Sequence, residues 1–158
     1  MSTQLSPIVL LPNEGKSLIV SDNVNIGIKA AGANTGGQWV CLEYSVLQAP
    51  FEGPPLHRHK ITHEAWYILE GTFTFLLDGQ SIEAPAGSFV YVPPGVLHRF
   101  CVTGSAPAKF LGFASPPAID FEGYANELKA LMQQEPSWPP ADMSKVNALM
   151  ARYDTYAE

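Results

Sequence analysis

From Ser6 to Pro117 the chain is a succession of short apolar runs, each cut off by Gly, Pro, Asn or Asp. SPIVLLP, KSLIVSD, VNIGIKAAG, WVCLEYSVLQ, EAWYILEG, TFTFLLDG, QSIEAPAGS, FVYVPPG, VLHRFCV and APAKFLGFASPP follow one another with no helical pattern between them. Strands at intervals of roughly 8 to 12 residues imply an antiparallel sandwich or barrel and exclude a doubly wound α/β sheet. In WVCLEYSVLQ the alternation puts Val40, Leu42, Tyr44 and Val46 on an apolar face, with Glu43 and Ser45 on a wetter one. EAWYILEG and TFTFLLDG read as a hairpin turning at Glu70–Gly71, and Asp78–Gly79 as a second tight turn. Fourteen prolines suit strand ends and edges better than helix interiors.

After Pro117 the period changes. Phe121, Tyr124, Ala125, Leu128, Leu131 and Met132 recur at helical spacing, and EPSWPP ends that helix. Asp142 is placed to cap a second helix whose apolar face is Val146, Leu149, Met150 and Tyr153. The expected organisation is a β-barrel over residues 1–117 and a helical extension over 118–158, packed on the outside of the barrel or across a dimer contact. Neither helix carries a reactive cluster.

The 158 residues suffice for one domain with a sizeable core. Only 15% are charged, which suggests covered surface, a subunit interface included. A net charge of −6 without a basic stripe argues against nucleic acid. No run has the length of a membrane span, and the first residues lack a basic start with a long apolar core, so a cytoplasmic location is expected. Cys41 and Cys101 lie far apart and form no CxxC, so neither a disulfide scaffold nor a thiolate metal site is indicated.

All four histidines fall in two short blocks: His57, His59 and His63 in PPLHRHKITHEAWYILEG, and His98 in GSFVYVPPGVLHRF. On a strand, His57 and His59 share a face, close enough to grip one ion. Glu64 or His63 could add a donor across a short turn, and Pro93–Pro94–Gly95 could return His98 beside them. Imidazoles gathered with a carboxylate suit a divalent transition ion, and an octahedral one keeps positions open for substrate, water or dioxygen. Arg58, Lys60 and Arg99 alternate outward into solvent, and Glu70 and Glu83 are turn and edge carboxylates. No nucleophile elbow, P-loop or dinucleotide-binding glycine turn is present.

These blocks resemble the two motifs of the cupin superfamily. His57, His59, Glu64 and Gly71 fit G-x5-H-x-H-x(3,4)-E-x6-G, and Gly87, Pro93, Gly95 and His98 fit G-x5-P-x-G-x2-H-x3-N. Phe51 stands in place of the first glycine and Val102 in place of the asparagine. The resemblance covers roughly residues 38–113 and, in wording, is closest to single-domain cupins related to quercetin 2,3-dioxygenase. It implies an all-β, double-stranded β-helix (jelly-roll) barrel, usually a homodimer. It also implies one divalent ion (Mn, Fe, Ni, Cu or Zn) held by His57, His59, Glu64 and His98. The spacing to Gly71 selects Glu64 over His63, which should point the opposite way. Tyr44, Trp66, Phe73, Phe75, Phe100 and Phe113 become candidates for an aromatic substrate pocket, and Glu64 for a catalytic base. The expected activity is a dioxygenase acting with dioxygen on a small enol or catechol-like molecule. The alternatives are a non-catalytic binding module and a metal-dependent isomerase or decarboxylase.

Overall fold

The computed structural model describes residues 5–116, 120–137 and 140–158. Eleven strands among them form two antiparallel sheets that close into a jelly-roll barrel, the expected double-stranded β-helix. The larger sheet runs β1 (Lys16–Ser21), β2 (Val24–Ala30), β3 (Val40–Val46), β10 (Ala108–Ser115), β5 (His63–Glu70) and β8 (Phe89–Val92). The smaller runs β11 (Tyr156–Ala157), β4 (His57–Arg58), β9 (His98–Cys101), β6 (Thr72–Leu77) and β7 (Gln80–Pro85).

The core follows from the two-residue period. Val40, Leu42 and Val46 are buried, whereas Glu43 and Ser45 are only half-buried. In β6, Phe73 and Phe75 are fully buried and alternate with half-buried Thr72, Thr74 and Leu76, and Phe110, Ile68 and Val102 complete the packing. The Asp78–Gly79 turn forms as expected, with Leu77 opposite Gln80 and positive φ at both turn residues (44° and 82°).

Several expectations fail for local reasons. Glu70–Gly71 is not a hairpin turn: β5 lies in the larger sheet and β6 in the smaller, so the chain crosses between sheets there. Gly71 serves that corner at φ 70°, where a Cβ would sit 2.7 Å from the Pro107 carbonyl oxygen. SPIVLLP forms no strand, and Ile8, Val9, Leu10 and Leu11 are exposed, because no sheet edge takes them up. Cys41 and Cys101 are both buried, free thiols.

Helix α1 (Phe121–Gln134) starts at Asp120, whose carboxylate accepts the Gly123 amide. Helix α2 (Ser144–Arg152) starts one residue later than expected, and Asp142 accepts the Ser144 amide. Apolar residues of both helices face the barrel mouth and line its cavity. The boundary at residues 117/118 and the Trp138–Pro139 step of the helix stop lie outside the described residues. No helix among the described residues is long and apolar enough to cross a membrane.

Candidate metal centre

The four residues of the centre arrive from both sheets: neighbouring strands β4 and β9 of the smaller one, the turn after β4, and β5 of the larger one. His57 opens β4 and pairs directly with His98, the first residue of β9. His59 follows β4, where its carbonyl accepts the Gly95 amide at 2.8 Å, so the Pro93–Pro94–Gly95 turn is fastened to the first histidine block. Glu64 is the second residue of β5. Upstream, Gly53 passes under β9 at φ 72°, where a Cβ would lie 1.8 Å from the Phe100 carbonyl oxygen. The two motif departures turn out to be partners. Phe51 and Val102 form an isolated bridge with reciprocal backbone hydrogen bonds of 2.9 and 2.8 Å, and Phe51 packs beside Tyr44 and Phe100.

One donor atom from each of His57, His59, Glu64 and His98 lies within 4.8 Å of the others. The three histidines are buried, and Glu64 Oε2 lies 3.0 Å from His59 Nε2 and 2.9 Å from His98 Nε2. Each imidazole also gives its Nδ1–H to a backbone carbonyl: His57 to Pro55 at 2.7 Å, His59 to Asp154 at 2.8 Å, His98 to Val96 at 3.0 Å. These bonds orient the rings so that all three Nε2 atoms face a common point, the arrangement of an imidazole metal site once those nitrogens are deprotonated. A buried cluster of three nitrogens and a carboxylate oxygen could hold a divalent ion.

The protein groups also tune one another. Burial, helped by neighbouring His98, pulls His57 down to about 4, so it stays neutral across the physiological range. Burial alone would lower His59 too, but its hydrogen bond and attraction to Glu64 prevail and raise it. Burial would raise Glu64, but the hydrogen bonds from His59 and His98 outweigh it and hold the carboxyl below its usual range.

Above the cluster opens a cavity of about 770 Å³. Of the expected pocket aromatics, Tyr44, Trp66, Phe100 and Phe113 line it. Phe73 and Phe75 do not; both are fully buried behind the wall, 5.9 Å from Phe100 and 5.2 Å from Trp66 between ring centres. Phe51 and Phe110 line it as well, unforeseen, as do Phe121, Tyr124, Leu128 and Met132 of α1 and Val146 and Met150 of α2. The apolar helical stripes were the available signal, for they had to cover something. Arg99 is not simply solvated: it is half-buried at the cavity wall and reaches Glu52 at 3.4 Å. His63 points away from the cluster, exposed, with Nδ1 2.7 Å from the Tyr91 hydroxyl. Arg58 and Lys60 are exposed as expected.

Comparison with known proteins agrees with the fold. Residues 45–113 match the family described as Cupin domain. The chain is 34% identical to quercetin 2,3-dioxygenase of Bacillus subtilis over 99 residues, which are 60% of this chain and 27% of that protein. It spans 27% and 50% of the lengths of the two curated relatives it matches. Among solved structures, KdgF from a Halomonas species superposes with a TM-score of 0.62 at 16% identity, over 74% of this chain and 99% of that one. A predicted oxalate decarboxylase from Thermotoga maritima gives 0.61 at 20% identity, over 68% and 97%. At these identities the structural likenesses speak for the fold alone.

Proposed function

Residues 45–113 of this chain are a cupin domain, and from that premise we propose that the protein is a metal-dependent dioxygenase acting on a small, flat, enol or catechol-like molecule. One observation carries the reading: three buried histidines and a half-buried glutamate meet in a mostly apolar, aromatic-walled cavity. The similarity to a quercetin 2,3-dioxygenase supports the same chemistry. The lining surface is mostly apolar, which favours a flat apolar ligand over a sugar.

His57, His59, Glu64 and His98 would hold the ion. When bound, a divalent transition ion supplies Lewis-acid polarisation and, if it is manganese, iron, nickel or copper, a redox route to dioxygen. The remaining work belongs to the chain. Glu64 is ionised at neutral pH but, held below the usual range, is a weak base, so it could take a hydroxyl proton from the substrate only where a bound ion acidifies that hydroxyl. Tyr44 faces the same cavity, and burial raises its phenol well above the ordinary value, so it stays a neutral hydrogen-bond donor. Trp66 and Phe100 offer flat apolar surface and exclude water. A homodimer belongs to the same proposal, supported by exposed Tyr67, Phe89 and Tyr91 on neighbouring strands β5 and β8.

Oxygen uptake by the metal-loaded protein with flavonols and simpler enols tests the reading. Wild type should consume oxygen in step with substrate. Glu64→Gln should retain metal and lose roughly 10²- to 10⁴-fold in turnover, the usual worth of a positioned proton acceptor. Wild-type turnover in Glu64→Gln would remove the base role. Binding of enols without oxygen uptake, under any of the five ions, would leave a binding module instead.

A further inference from the structure

The last six residues of the chain return to the metal loop from the far side of α2. Strand β11 pairs with β4, placing Tyr156 opposite Arg58 and Ala157 opposite His57, and the Glu158 amide donates to the Leu56 carbonyl. Between α2 and β11 stands Asp154, a non-glycine residue at φ 54°. Its carboxylate accepts four hydrogen bonds from the loop between His59 and Glu64. The Lys60 amide donates to Oδ1, and the Ile61 amide, Thr62 amide and Thr62 hydroxyl donate to Oδ2, all at 2.9–3.0 Å. Its backbone carbonyl accepts the Nδ1–H of His59 at 2.8 Å. Thr62, which gives two of these bonds, is almost completely buried. One residue thus fixes both the orientation of His59 and the path of the loop from His59 to Glu64.

We propose that Asp154 is the positioning residue of the metal centre, and that through it the C-terminal helices are coupled to the ion-binding side chains. The inference rests on the metal reading above. Asp154 lies two residues beyond α2, whose Val146 and Met150 line the cavity. The Thr155 amide is tied back to the Met150 carbonyl at 3.0 Å. A ligand seated against α2 therefore presses on the segment that orients His59. Linkage is reciprocal, so ion binding should tighten ligand binding by the factor that ligand binding tightens the ion.

The test is zinc affinity by chelator competition in wild type, Asp154→Asn, Asp154→Gly and Glu127→Gln. Asn and Gly both tolerate the left-handed backbone, so the loss is confined to the carboxylate. Glu127 joins α1 to Arg152 and Tyr153 at the end of α2 without touching the loop, which makes it a control for general loosening of the helices. The Asp154 variants should bind zinc about 10- to 100-fold more weakly, the usual effect of losing a partner that orients a ligand. Glu127→Gln should stay within about twofold of wild type on the same scale. Wild-type affinity in the Asp154 variants, or an equal loss in Glu127→Gln, would overturn the proposal. Nitrogen-15 shifts of the zinc-loaded wild type provide a reading that needs no variant to fold. They should show His59 bound through Nε2 with Nδ1 protonated, and zinc on Nδ1 would refute the geometry. Failure of wild type itself to bind zinc or any other divalent ion would instead strike the metal reading on which the proposal rests.

Discussion

His57 and His59 stand two positions apart and meet opposite electrostatic fates. Below the ordinary histidine value of 6.5 the unfolded chain protonates His57, while the folded chain resists until about pH 4. His57 therefore removes stability as pH falls through that window, by up to about 3 kcal/mol in all. His59 has the opposite sign: its raised value adds stability that is complete below 6.5 and is lost as pH rises through the folded value. Urea unfolding in chelator at several pH values checks this. His57→Asn should flatten the decline in stability between pH 6.5 and 4, and an unchanged slope would contradict the burial argument. The clustered residues were legible in the sequence: strand alternation puts His57 and His59 on one face, and the cupin resemblance adds Glu64 and His98. The role of Asp154 was not, because it joins His59 across 95 residues and no local pattern announces so distant a contact.

Among the elements, strands were read more faithfully than their connections. Alternation locates β3 and β6 and their buried faces, since the period of two is a property of each strand alone. Whether consecutive strands pair or part is decided by the whole barrel, so the corner at Gly71 looked like a hairpin. Helix periodicity likewise showed an apolar face on α1 without showing that a cavity lay beneath it. Glycines rank the corners. Gly53→Ala meets a backbone carbonyl at 1.8 Å in a left-handed conformation, whereas Gly79→Ala meets nothing within 4 Å. Gly79→Ala should cost about 1 kcal/mol, from backbone strain alone. Gly53→Ala should cost more than about 4 kcal/mol and displace the segment leading to His57. Denaturant midpoints of the two variants decide it, and equal losses would mean that the close passage under β9 is not rigid.

At the scale of the molecule, the barrel supplies a mostly apolar, aromatic-walled chamber, the strands bring three imidazoles and a carboxylate into it, and residues of the C-terminal helices complete its lining. If the cluster holds an ion only when folded, the ion must stabilise the fold, by about 2.7 kcal/mol at a hundredfold excess over Kd. The most direct measurement is the metal content of purified protein by elemental mass spectrometry, beside His59→Ala, with thermal unfolding of both before and after metal addition. The account predicts close to one divalent transition ion per chain in wild type and little in His59→Ala. It also predicts a rise in Tm on metal addition for wild type alone. A wild-type protein that takes up no manganese, iron, nickel, copper or zinc, and whose Tm ignores all five, would contradict it.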